Sequence, residues 1–177
     1  MDETNDGNYG LASGELHLVP VGNEWRSRFT AERKRIAAVL GTAAIDIQHI
    51  GSTAIPGILA KPILDIAVVI QSFEGGRALV PLLINLGYEY RGENGIPRRH
   101  YFVQGSPRRT HHLHMLEHDS AELRRHVLFR DILLDSPSTA ARYSEFKAAI
   151  AAESGGNRDV YQGLKVSFID EVRRLRT

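Results

Sequence analysis

Three short stretches carry residue types that can do chemistry: His49-Ile50-Gly51-Ser52-Thr53, then Lys61-Pro62 with Asp65, and Thr110-His111-His112-Leu113-His114. A Gly-Ser pair leaving a strand turns backbone N–H groups and a hydroxyl outward, and Gly51 has no side chain to obstruct a phosphate. Gly51, Ser52 and Thr53 are therefore a candidate anion seat. The same tripeptide also reads as a plain strand-to-helix turn with Ser52 or Thr53 as N-cap. Asp65 opens an apolar run, and a carboxylate there must sit at the sheet's edge in water or be neutralised by a partner. A divalent cation would serve. Lys61, four residues earlier and held by Pro62, would instead make a structural ion pair.

Strand alternation places His112 and His114 on one face and His111 on the other. Two imidazoles at i, i+2 can ligate one metal, yet the run also fits an exposed polar strand. Five of the eight histidines fall between His100 and His118. There is no cysteine and no His-Glu-x-x-His helix, which argues against a dedicated zinc site. Arg91, Arg98, Arg99, Arg108 and Arg109 surround the histidines. From Arg91 to Arg130, eight arginines face four acidic residues, a local balance of +4. Arginine suits bidentate phosphate and carboxylate binding, although a solvated hairpin would show the same residues. Tyr143 with Lys147, and Tyr161 with Lys165, are i, i+4 helical pairs; by position alone each Tyr reads as core and each Lys as surface.

The elements that must position these groups follow from periodicity. Trp25, Phe29, Ile36, Val39 and Leu40 recur at helical spacing after Asn23, a candidate N-cap. Ala44 to Ile50 reads as a strand. Leu64 to Ile70 is almost continuously apolar and so predicts a central strand covered on both faces. Gly76 to Leu86 reads as a helix ending at Gly87, with Pro81 forcing a late start or a kink. Tyr88 to Arg91 and Arg99 to Val103 form an expected hairpin, and Thr110 to Glu117 a further strand. Three helices are expected to close the chain: one after Asp119, one after Ser136-Pro137, and one carrying Tyr161, Leu164, Phe168, Val172 and Leu175 on a single face.

Composition narrows the class. A chain of 177 residues suffices for one domain burying roughly 70% of its unfolded surface. Twenty-two basic against 21 acidic side chains give a net charge of +1, so no long nucleic acid is an expected partner. The polar, acidic stretch 1–14 reads as a disordered leader preceding a single domain over 15–177. It lacks the pattern of a signal or transit peptide, and no apolar run approaches the ~20 residues of a membrane span, so a cytoplasmic protein that avoids membranes is expected.

Taken together, His49 to Gly57, Lys61-Pro62 with Asp65, Thr110 to His114, and the Tyr143…Lys147 and Tyr161…Lys165 pairs resemble the GrpB-like family of the nucleotidyltransferase-fold superfamily. The resemblance runs from about Leu16 to the C-terminus. It implies an α+β fold, a mixed sheet flanked by helices with a C-terminal helical part. It also implies nucleotide phosphates on Gly51-Ser52 and a divalent ion, Mg²⁺ or Mn²⁺, on Asp65. The expected phosphate ligands are Gly51, Ser52, Thr53, Lys61, Arg99 and Lys165; the expected metal ligands are Asp65, His112 and His114; and Asp65, Lys61 and His114 are the expected catalytic groups. The chain departs from the superfamily pattern at Ala67, where a second carboxylate is usual, and at the later strand, which carries His112 and His114. One Asp with imidazoles is a softer site than Mg²⁺ prefers, better matched to Mn²⁺ or another transition metal, or to no metal at all. Three readings follow: nucleotidyl transfer to a small-molecule acceptor, a catalytically silent nucleotide- or anion-binding module, and a histidine-based metal hydrolase of phosphate esters.

Overall fold

The computed structural model describes residues 9–174. Helix α1 (Asn23–Leu40) starts one residue earlier than its expected cap: Gly22 is the N-cap and Asn23 is already helical. Glu24 in the first turn accepts from the Gly22 N–H at 3.1 Å, and no side chain caps the first-turn amides, the role expected of Asn23.

Five strands build the main sheet: β2 (Asp46–Ile50), β4 (Leu64–Ile70), β5 (Glu89–Tyr90), β6 (His100–Gln104) and β7 (His111–Glu117), in the order β2-β4-β7-β6-β5. Only β4 and β7 run parallel; the other neighbours are antiparallel. The sheet is therefore mixed, and β4 is buried along nearly its whole length, as its apolar run requires. A separate pair, β1 (Val19–Pro20) with β3 (Leu59–Ala60), flanks it.

Alternation along β4 divides the molecule. Leu64, Ile66, Val68 and Ile70 join Trp25, Ile36 and Leu40 of α1 in the larger core. Each such fully buried side chain contributes about 1.5–3 kcal/mol. Ala67 and Val69 face the other way, towards Leu123 of α4 (Ala121–Asp135). Helices α5 (Pro137–Glu153) and α6 (Arg158–Arg174) pack beside α4. Ser136 caps α5 as the Ser-Pro pair predicts, and α4, which follows Asp119 as expected, is capped by Ser120. On α6, Tyr161, Phe168 and Val172 share the buried face; Leu175 lies outside the described residues.

Two expectations are corrected. The helix expected over Gly76 to Leu86 is broken into α2 (Phe73–Gly76), a 3₁₀ turn over 77–79 and α3 (Val80–Asn85). It begins early because Ser72 caps it, accepting from Gly75 N–H, and Pro81, lacking an N–H, is confined to the first turn of α3. The last part of the stretch expected as a leader over 1–14 is packed against the domain. Residues 1–8 lie outside the described residues, but Leu11 is 1% exposed and bridges Arg109, and Gly10 N–H donates to Pro62 O at 2.8 Å. Tyr9 packs edge-on against Trp25 and bonds His111 Nε2. Polarity marked the stretch as unstructured; one buried leucine and backbone pairing anchor its end. Among the described residues no helix is long and apolar enough to cross a membrane.

Candidate functional site

The parallel register of β4 on β7 sets Asp65 beside His112 and Ala67 beside His114. Cross-strand neighbours share a face, so Asp65, His112 and His114 point to the α4–α6 side, while His111 points to the α1 side. There they line a cavity of about 460 Å³. Gly51, Ser52, Thr53, Lys61, Arg99 and Lys165 line the same cavity, so every residue singled out for the site reaches one space. Arg91, Arg109, Tyr101, His126, Tyr143 and Tyr161 are also in its wall.

The turn after β2 is built around Asp65. Gly51 lies at φ +70° and ψ −171°, a region essentially reserved for glycine. A Cβ there would stand 2.5 Å from Asp65 Oδ2. The missing side chain thus leaves room for the carboxylate, a different reason from the phosphate approach read in the sequence. Ser52 and Thr53 open a 3₁₀ turn whose first internal bond is Ala54 N–H to Gly51 O. Their own amides precede that bond and have no acceptor within the turn, the arrangement that seats anions. The Thr53 hydroxyl is committed elsewhere: it donates to Ile63 O and meets His49 Nε2 at 3.0 Å. Only its backbone is available for a phosphate.

Asp65 Oδ1 accepts from His112 Nδ1 at 2.9 Å. Burial alone would raise the Asp65 carboxyl, but the hydrogen bond and charge of His112, with Lys61 adding to them, hold it well below the usual carboxylate range. Its partner is therefore an imidazole from the neighbouring strand, alongside the Lys61 expected from sequence. His114 Nδ1 accepts from the Arg99 guanidinium at 3.2 Å. Burial, reinforced by His126 at a ring distance of 5.0 Å and by Arg99, holds His114 well below its ordinary range, with Asp65 opposing. A neutral imidazole has one lone pair, and that of His114 is spent on Arg99.

As arranged, Asp65, His112 and His114 do not form a three-ligand metal set. The His112 N–H occupies an oxygen of Asp65, His114 offers no lone pair, and Ala67 contributes none. Among the described residues no group of three histidine or carboxylate side chains is placed to hold a metal. The expected triad of Asp65, His112 and His114 is thus a hydrogen-bonded wall.

Charge dominates that wall. Lys61, Arg91, Arg99, Arg109 and Lys165 face the cavity against the single carboxylate of Asp65. Arg99 is 4% exposed, stacks 4.6 Å over Tyr101, and donates to the carbonyls of Glu93 and Asn94. Burial lowers its pKa, and no carboxylate pairs with it among the described residues. Burial opposes the charge on Lys165 as well, but Tyr143, Tyr161 and Asp65 outweigh it and raise that pKa. Lys147, read as surface, is buried: its amine donates to Leu59 O and lies 4.3 Å over the Tyr143 ring, and burial drives its pKa far down.

The arginine group divides. Arg98 is bound by Glu74 and Glu117, and Arg108 reaches Gly10 O and Glu15, both outside the cavity. His100 and His111 belong to the opposite face, bonded to Tyr90 and Tyr9. His126 was missed by sequence reasoning: on α4 its only local partner is Glu122, four residues earlier, and nothing in that spacing points to the strands.

With this geometry in hand, the chain can be compared with known proteins. The family model described as GrpB protein matches residues 15–174. UPF0157 protein YqkA of Bacillus subtilis (strain 168) is 38% identical over 159 residues, covering 85% of this chain and 46% of that protein. The chain therefore spans about half of that relative's length. The crystal structure of conserved protein GrpB from Enterococcus faecalis superposes with a TM-score of 0.83 at 31% identity, covering 89% of this chain and 95% of that one. A chain of the GLD-2/RNP-8 complex aligns with a TM-score of 0.56 at 12% identity over 85% of this chain and 60% of its own, a likeness of fold alone.

Proposed function

Because the chain belongs to the GrpB family and has a nucleotidyltransferase-like fold, we propose that its cavity binds a phosphate-bearing small ligand of nucleotide size. The phosphates rest on the Ser52 and Thr53 amides between Lys61 and Lys165, and Arg99 closes the far wall. The observation that carries this is the charge of the lining: Lys61, Arg99, Arg109 and Lys165, with Arg91 that also pairs with Glu89, line it with one carboxylate. A volume of about 460 Å³ suits a small molecule and excludes a duplex. Binding is what the geometry supports. Transfer to a small-molecule acceptor requires, besides this seat, a group that activates the acceptor; Asp65 and His112 form a hydrogen-bonded pair on the cavity wall.

The test is calorimetric titration of ATP into the full chain. Lys165→Met and Arg99→Met each remove a charged donor and are expected to weaken binding about tenfold or more. Arg98→Met removes a neighbouring arginine held by Glu74 and Glu117 and should leave affinity unchanged. Absence of binding by the unmodified chain, or equal losses in the Arg98 and Arg99 variants, refutes the assignment.

A further inference from the structure

In a metal-dependent phosphate site, an acidic cluster holds divalent ions and the ions hold the phosphates. Here the acidic cluster is reduced to Asp65, and protein cations surround it. His112 donates to Oδ1 at 2.9 Å, and Oδ2 lies beside Gly51, 2.5 Å from where a Cβ would stand. Lys61 and Lys165 line the same space, with Lys61 Nζ 5.8 Å from the Tyr161 ring centroid. Ala67, beside His114 in the register, supplies no second carboxylate. His114 turns its lone pair to Arg99.

We propose that the cavity takes its phosphate-bearing ligand in the metal-free state, with Lys61 and Lys165 holding the charge that divalent ions hold elsewhere and Asp65 acting as an internal counter-charge. The inference rests on the phosphate-ligand reading above and specifies the form of the ligand. Two physical consequences follow. A bound Mg²⁺ or Mn²⁺ cancels two of the ligand's negative charges, and those charges are what the lysines attract. Asp65, no longer an ion holder, repels the phosphates, so its neutralisation strengthens binding. In a metal site the same neutralisation destroys binding. The electrostatic influences agree with this geometry, since Asp65 helps to keep Lys165 charged and Lys61 helps to keep Asp65 ionised.

The experiment titrates inorganic triphosphate and ATP into the full chain, once in EDTA and once in excess Mg²⁺ or Mn²⁺. The expected result is binding in EDTA that becomes about tenfold weaker when the ligand carries a metal, because two unit charges are removed within a few ångströms of the lysines. Asp65→Asn, which can still accept from His112, is expected to tighten metal-free binding by a similar factor. Tighter binding on adding either metal, or a failure of Asp65→Asn to tighten, overturns the metal-free assignment while leaving the phosphate ligand in place. If Asp65→Asn does not fold, the comparison of EDTA with metal on the unmodified chain decides. Absence of binding under every condition overturns the phosphate reading itself.

Discussion

Gly51→Ala is the substitution whose cost the structure specifies most closely. The residue adopts φ +70° and ψ −171°, and its added Cβ would meet Asp65 Oδ2 at 2.5 Å, Asp65 Cβ at 2.9 Å and Cγ at 3.0 Å. The backbone contribution for a non-glycine residue in this region is about 1–3 kcal/mol. The overlap forces the carboxylate aside and breaks its bond to His112; losing a hydrogen bond to a charged group costs about 1.5–3 kcal/mol more. The expected destabilisation is roughly 3–6 kcal/mol, to be read as a shift of the urea midpoint at constant slope. A double-mutant cycle separates the two parts. In an Asp65→Gly background all three contacts disappear, so Gly51→Ala should cost only the backbone part, leaving a coupling of about 2 kcal/mol. Additive costs, or a single-variant loss below about 1 kcal/mol, refute the claim that Gly51 exists to admit the Asp65 carboxylate.

Two further outcomes concern stability away from the cavity. Burial lowers His49 and His111 to about 4. Between that value and the ordinary histidine range the unfolded chain binds more protons, so stability falls as pH falls from about 6.5 towards 4. Each contributes about 2 kcal/mol of loss by pH 5. Urea midpoints at pH 7 and pH 5 should show the drop, and His111→Gln should shrink it; an unchanged midpoint refutes neutral burial. Tyr88→Phe removes the hydroxyl that donates to Glu32 at 2.8 Å, where Glu32 is 5% exposed and its other partner among the described residues is Arg35. A loss of about 1–3 kcal/mol is expected in thermal or urea unfolding, and a neutral result contradicts a buried, Tyr88-dependent carboxylate.

Local periodicity determined much of this protein. The apolar run Leu64 to Ile70 required a strand covered on both faces, and alternation in Thr110 to His114 separated His112 and His114 from His111, because the side-chain period of a strand is set by the backbone alone. Ser136-Pro137 announced α5 for an equally local reason. Tertiary structure decided what those periods could not express. Asp65 could pair with Lys61 or a metal as far as spacing showed; the parallel register placed it on His112, 47 residues away, with Lys61 in support. Five arginines looked alike, and folding sent Arg99 and Arg109 to the cavity, Arg91 to its wall while paired with Glu89, and Arg98 and Arg108 to carboxylates outside it. Lys147 and Leu11 became interior residues through contacts with Leu59 and Arg109. Partners so distant in the chain leave no mark in a window of neighbouring residues: which strand lies beside which, and in what register, is an energy of the whole packed core, and the charge of the cavity is a sum over elements that only that packing brings together.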